Sequence, residues 1–216
     1  MLPVPIARMD RRNALRVIGA AGAGLVFAAC SKDDGGGAAA TTTTGETSAT
    51  TATTPATTVG GSTTQSPPET GGPYPADGTQ GASKPNVLDD DGIVRRDLTR
   101  SFGDYSGSTD GTPLTTKLTV VKAGTGVAYA GAAVYLWHCD AKGLYSLYSQ
   151  GAADQNFCRG VQAADDNGEL TFDTVFPGAY QGRYPHFHYE VFSSLDDAKS
   201  AGNRLLTSQI ALPEDA

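Results

Sequence analysis

From about residue 71 onward the chain is written in short apolar runs interleaved with polar residues, a period of two that puts successive side chains on opposite faces of an extended strand. The pattern predicts strands over 114–122, where β-branched residues alternate with polar ones, over the apolar run 131–138, over 169–174, and over 187–193, just past Pro185. Turn pairs punctuate these runs at Asp110-Gly111, Lys142-Gly143 and Asn167-Gly168. Only 194–201 has a helical pattern, with Asp196, Asp197 and Lys199 on its exposed side. Several short strands at this spacing predict a mostly β domain, a β-sandwich, over 71–216.

The residues ahead of that domain read differently. Arg8, Arg11, Arg12 and Arg16 flank an uncharged apolar stretch, 17–29, that ends at Cys30. It is too short and too rich in Gly and Ala for a membrane span, which needs about 20 apolar residues, so 1–30 is expected to be an export signal. Arg11-Arg12 resembles a twin-arginine signal, and Val26-Phe27-Ala28-Ala29-Cys30 resembles a lipoprotein cleavage box with Phe27 where Leu is usual. Two fates follow: lipid attachment at Cys30 on the outer face of the cytoplasmic membrane, or cleavage and release. Residues 31–70 are Gly, Ala, Thr, Ser and Pro with almost no aliphatic side chains, which cannot offset the entropy of ordering and predicts a disordered tether. The net charge of −7 and the absence of a basic cluster exclude nucleic acid as a partner. Export would place Cys139 and Cys158 in a disulfide-permissive compartment, as a bridge or as two core thiols.

Candidate chemistry sits near the C-terminal end. His186 and His188 lie two apart in an extended segment and so share a face, with Phe187 turned the other way into packing. Alone, such a pair serves as a metal ligand pair or as a hydrogen-bonded surface pair. Just upstream, Phe176-Pro177-Gly178-Ala179-Tyr180 forms a turn able to hold the Tyr180 phenol over the same place, with Arg183 three positions before His186. A phenol ionises readily beside a trivalent cation, and phenolate oxygen suits hard ferric iron. Without a metal, Tyr180 would be a turn tyrosine on the sandwich edge and Arg183 a surface charge. Trp137 reads as a buried strand anchor, with His138 facing away from the His pair. Asp165, Asp166 and Asn167 read as a hairpin turn, or as part of a calcium loop. No nucleotide-binding Gly motif, Ser elbow or Cys-x-x-Cys pattern is present.

The strings YLWHCDAKGLYSLY, FCRGVQAADDNGELTFDTVFPGAY and QGRYPHFHYEV, in that order, resemble the intradiol ring-cleavage dioxygenases. GGPYPADG at 71–78 and GIVRRDL at 92–98 resemble the same family, so the likeness covers nearly everything after the tether. It implies an enzyme of the intradiol β-sandwich type with a non-haem Fe(III) held by Tyr145, Tyr180, His186 and His188. It also implies catechol and O2 as substrates and a muconate-type diacid as product. Tyr180 would act as a base toward the bound catechol, and Arg183 would stabilise negative charge on the ring, with Gln209 as a polar neighbour.

Two features depart from that pattern. The chain ends a short distance past His188, where relatives continue through further strands, which leaves open a C-terminally truncated sandwich with an exposed edge strand. The tether also stands where intracellular relatives carry an N-terminal helical dimerisation region. The alternatives to an enzyme are a metal-free, colourless transthyretin-like or immunoglobulin-like binding module and a purely structural envelope lipoprotein, in which His186 and His188 would be incidental.

Overall fold

The apolar and β-branched runs become six strands and one short helix in the structure, a computed structural model that describes residues 64–81, 84–200 and 202–213. The expected signal segment and the tether as far as residue 63 lie outside the described residues. In chain order the elements are β1 (Pro113–Thr119), β2 (Ala133–Trp137), β3 (Arg159–Ala163), β4 (Glu169–Val175), β5 (His186–Phe192), α1 (Leu195–Lys199) and β6 (Arg204–Ala211). All strand pairs are antiparallel, in a two-stranded sheet β1-β4 and a four-stranded sheet ordered β3-β2-β5-β6.

β2, the sequence AVYLW, is buried at every position because its sheet is covered on both faces. On one face Val134, Leu136 and Phe187 pack against Leu170 and Phe172 of β4, the interior of the sandwich. On the other, Tyr135, Trp137, Val161 and Phe192 pack under irregular chain that supplies Ala76, Val87, Leu88, Ile93, Phe102 and Tyr145. An extended stretch, 93–98, closes one side by bonding both sheets. Arg95 N donates to Val161 O of β3 (3.0 Å), while Asp173 N of β4 donates to Arg96 O (3.0 Å) and Leu98 N to Asp173 O (2.8 Å).

The expected strands are present, β1 and β2 shorter than expected and β4 and β5 within one residue of it, and the helix is confined to five residues, with the Ser194 side chain accepting from Asp197 N at its N-terminus (3.1 Å). Two strands were not anticipated from the pattern. β3 opens on Arg159 and Gly160, which carry no strand signal. In β6 the alternation is broken by a register shift: Val191 pairs Leu206 but Phe192 pairs Arg204, so Leu205 is extruded and 47% exposed. β6 covers the edge of β5. The end of the expected tether in turn lies along β6, with Glu69 N donating to Thr207 O (2.9 Å) and Ser208 Oγ to Pro67 O (2.7 Å). Cys139 and Cys158 are buried free thiols, which decides the pairing question against a bridge in this structure.

Because Phe187 is fully buried in the sandwich interior while its neighbours face away, Phe187→Ala is expected to cost about 3–5 kcal/mol of stability, measured by urea unfolding. Phe187→Leu should cost much less.

Candidate metal centre

β5 alternates strictly. Phe187, Tyr189 and Val191 enter the sandwich, and His186 and His188 point to the other face beside Trp137. The His186 Nε2 and His188 Nε2 atoms face each other at 3.1 Å. Trp137, directly across from His188 in the register, stacks on its imidazole at 5.1 Å and 9°. Gly72 lies against the same ring: its φ is +70°, and a Cβ there would lie 3.2 Å from His188 Cε1.

The two tyrosines arrive from separate loops that are fastened together. Asp140, three residues past the end of β2, accepts from Lys142 N and Leu144 N through Oδ1 (both 2.8 Å), which shapes the turn leading into Tyr145. Its carbonyl accepts from Gly143 N (3.1 Å) and from Gly178 N of the second loop (2.9 Å). The contact is so close that a Cβ on Gly178 would sit 2.5 Å from Ala141 O, which is why a glycine stands in that turn. As a result the Tyr145 and Tyr180 hydroxyls lie 3.2 Å apart, with Tyr145 buried and Tyr180 half-buried. The Tyr145 ring is 6.4 Å from that of His188, and the Tyr180 ring 5.8 Å from that of His186.

Protonation follows from the partners. His186 Nδ1 is bonded to the Tyr184 carbonyl, which can only accept, so Nδ1 carries the proton and Nε2 presents its lone pair to His188. Burial, reinforced by His186 and Arg183, pushes the His188 pKa down to about 3; burial also lowers that of His186, so both rings are neutral at pH 7. His188 Nδ1 is buried beside the Thr70 backbone without an aligned hydrogen bond. Burial and the Tyr180 hydroxyl push the Tyr145 phenol far up, so ionisation there requires a cation.

Among the described residues no cluster of three or more His, Cys, Asp or Glu side chains could bind a metal. The donor set here is instead two neutral imidazoles and two phenols, which suits a hard, highly charged ion. Two nitrogens each about 2.1 Å from one ion at a right angle lie about 3 Å apart, close to the spacing of the His pair. The residues present therefore fit a metal ion. Two sizeable cavities, of about 490 and 630 Å3, lie elsewhere; none of the four donors lines them.

Arg183 is exposed on the turn after Tyr180, its Nη2 3.4 Å from His186 Nε2 and hydrogen-bonded to Gln209 Oε1. Gln209 lies across from His188 in β6 and donates to Thr70 O (3.2 Å). All five expected site residues and Gln209 thus converge. His138 is turned away as expected: it is buried, with Nε2 2.8 Å from Thr174 Oγ1 and its ring against Phe187. Residue-by-residue reasoning missed Gly72, the Trp137 stack, and Tyr74, whose ring lies 4.8 Å from that of Tyr145. The GGPYP string that carries Gly72 and Tyr74 was the available signal.

A family model described as Dioxygenase matches residues 85–211, more than half of the chain. Among solved structures, the chain is similar to an intradiol ring-cleavage dioxygenase from Tetranychus urticae, at 31% identity over 58% of this chain and 60% of that one, with a TM-score of 0.47. It is also similar to the dioxygenase domain of a dioxygenase carbohydrate-binding protein fusion from Streptomyces sp. SirexAA-E, at 25% identity over 68% and 75% of the two chains, with a TM-score of 0.47. Similarity to catechol 1,2-dioxygenase from Acinetobacter sp. ADP1 is 25% identity over 55% and 40%, with a TM-score of 0.41. The chain spans about three fifths of the Tetranychus urticae protein. No curated protein matches it in sequence.

Substituting Gly72 by Ala is expected to cost about 1–3 kcal/mol, because the left-handed backbone and the contact with His188 both oppose a Cβ. Thermal unfolding of the metal-free protein measures it.

Proposed function

We propose that this chain, which belongs to the intradiol ring-cleavage dioxygenase family, holds a non-haem ferric ion on Tyr145, Tyr180, His186 and His188. With it the protein opens a catechol between its two hydroxylated carbons, and dioxygen supplies both added oxygen atoms of a muconate-type diacid. The observation that carries this reading is the meeting of two phenol hydroxyls 3.2 Å apart with two imidazole nitrogens 3.1 Å apart, from three separate stretches of chain. Bound there, a ferric ion would supply a Lewis-acid site for both catechol oxygens and withdraw electron density from the ring.

The protein side chains divide the remaining work. Tyr184 O fixes the His186 tautomer, and Trp137 and Gly72 hold the His188 ring in one orientation, so the two nitrogens are aimed before any ligand arrives. Tyr145 is the buried phenol and is held by its loop. Tyr180, half-buried on the outer turn, is the one able to swing away; having given up its own proton to serve as an anionic ligand, its phenolate oxygen would accept a substrate proton. Arg183, steered by Gln209, points a guanidinium toward the same face, where it would stabilise negative charge developing on the ring.

The test is turnover of catechol by the ferric-reconstituted full chain under 18O2. The expected product is the ring-opened diacid carrying both labelled atoms. Arg183→Ala should lower kcat by about 10²–10³-fold, and Tyr180→Phe should lower it while leaving the fold intact. Unchanged catechol with no oxygen uptake, or cleavage outside the two hydroxylated carbons, would contradict the reading.

Export and attachment through Cys30 belong to the same proposal and rest on the sequence of 1–30 and the Thr-rich stretch that follows. Cys30→Ala is expected to move the protein from the membrane fraction to the medium. Equal membrane association of both forms would count against a lipid anchor.

A further inference from the structure

We infer that Arg159 is the positioning residue that sets Tyr145 and the segment 72–75 against the His pair, an inference that rests on the ferric reading above for its functional meaning. Arg159 opens β3 opposite Trp137 and is fully buried. No carboxylate forms an ion pair with it among the described residues. Its hydrogen bonds all go to neutral oxygens: Nε to Ser146 Oγ (3.0 Å), Nη2 to Ser146 O (2.9 Å), and Nη1 to Tyr74 O (3.0 Å), Pro75 O (3.1 Å) and the Tyr135 hydroxyl (3.2 Å). The guanidinium also lies 5.5 Å from the Tyr148 ring centroid.

A buried, unpaired cation is an expensive way to fill space, and an apolar side chain of similar volume is often as stable or more so. What an apolar side chain cannot do is fix several carbonyls at once in a planar fork. The carbonyls fixed here belong to chain without regular secondary structure, which has no ladder of its own to hold it. Ser146 is the neighbour of Tyr145. Tyr74 and Pro75 follow Gly72, which rests on His188, and the Tyr74 ring covers that of Tyr145. One side chain therefore ties a phenol donor and the wall behind an imidazole donor to the same rigid strand.

The test compares wild type with Arg159→Lys, which keeps the charge but not the fork, and Arg159→Met, which keeps the length alone. In the metal-free full chain, amide hydrogen exchange over 72–76 and 145–149 is expected to quicken at least about tenfold in both variants, with β2 and β5 as protected as in wild type. After ferric loading, Arg159→Lys should bind iron about 10–100-fold more weakly and show a displaced tyrosinate-to-ferric absorption band. Wild-type exchange in both loops, or an unshifted band with wild-type affinity in both variants, overturns the inference. So does lost protection in β2 and β5 in both variants, since Arg159 would then serve the core as a whole. If wild type itself takes up no ferric ion while the two loops respond as stated, the ferric reading fails and the positioning role of Arg159 stands.

Discussion

The two-residue period of β5 is the constraint on which the rest depends. Held between β2 and β6, this strand sends Phe187, Tyr189 and Val191 into the sandwich and presents His186 and His188 on the opposite face. A slip of one residue would exchange those faces, burying the imidazoles in the interior and exposing Phe187. The apolar side chains thus fix the register, and the register fixes the donors. Stability and site geometry are read from the same seven residues.

The phenols need a second device, because loops have no such period. Asp140 supplies it by turning the chain into Tyr145 with its carboxylate and holding the Gly178 turn with its carbonyl, which brings Tyr180 within 3.2 Å of Tyr145. Further along the donor face a small polar network anchors β6. Arg204 Nη2 meets Asp77 at 3.0 Å, and Arg204 Nε lies 3.1 Å from Glu190 Oε1 without hydrogen-bond alignment. Burial, then the neighbouring Asp77 charge, pushes Glu190 up to about 8. Through β6 this network also locates Gln209 against Arg183. The site is therefore assembled from a strand, two tied loops and a pinned outer strand.

Much of this was legible in the sequence, for physical reasons that differ from residue to residue. The strands β1, β2, β4 and β5 announce themselves by alternation or by a continuous apolar run, and His186 and His188 follow from that alternation alone. Tyr145 does not: nothing local marks one tyrosine of a loop, and only likeness to the family singled it out. β3 and β6 stayed hidden because Arg159 and Gly160 carry no strand propensity and because the bulge at Leu205 breaks the period. Gly72, Trp137 and Arg159 were invisible as site residues since their roles are contacts with chain distant in sequence, Gly72 and Trp137 with His188 and Arg159 with Tyr74 and Pro75, which no periodicity encodes.

The central claim, that Tyr145, Tyr180, His186 and His188 together form one ferric centre, is tested most directly by the visible absorption spectrum of the ferric-reconstituted full chain. Bound iron is quantified alongside, before and after anaerobic addition of catechol. The account predicts about one iron per chain and a tyrosinate-to-ferric band that shifts with catechol and is weakened in Tyr145→Phe. A colourless, iron-free protein after reconstitution, or a band untouched by Tyr145→Phe, would contradict it.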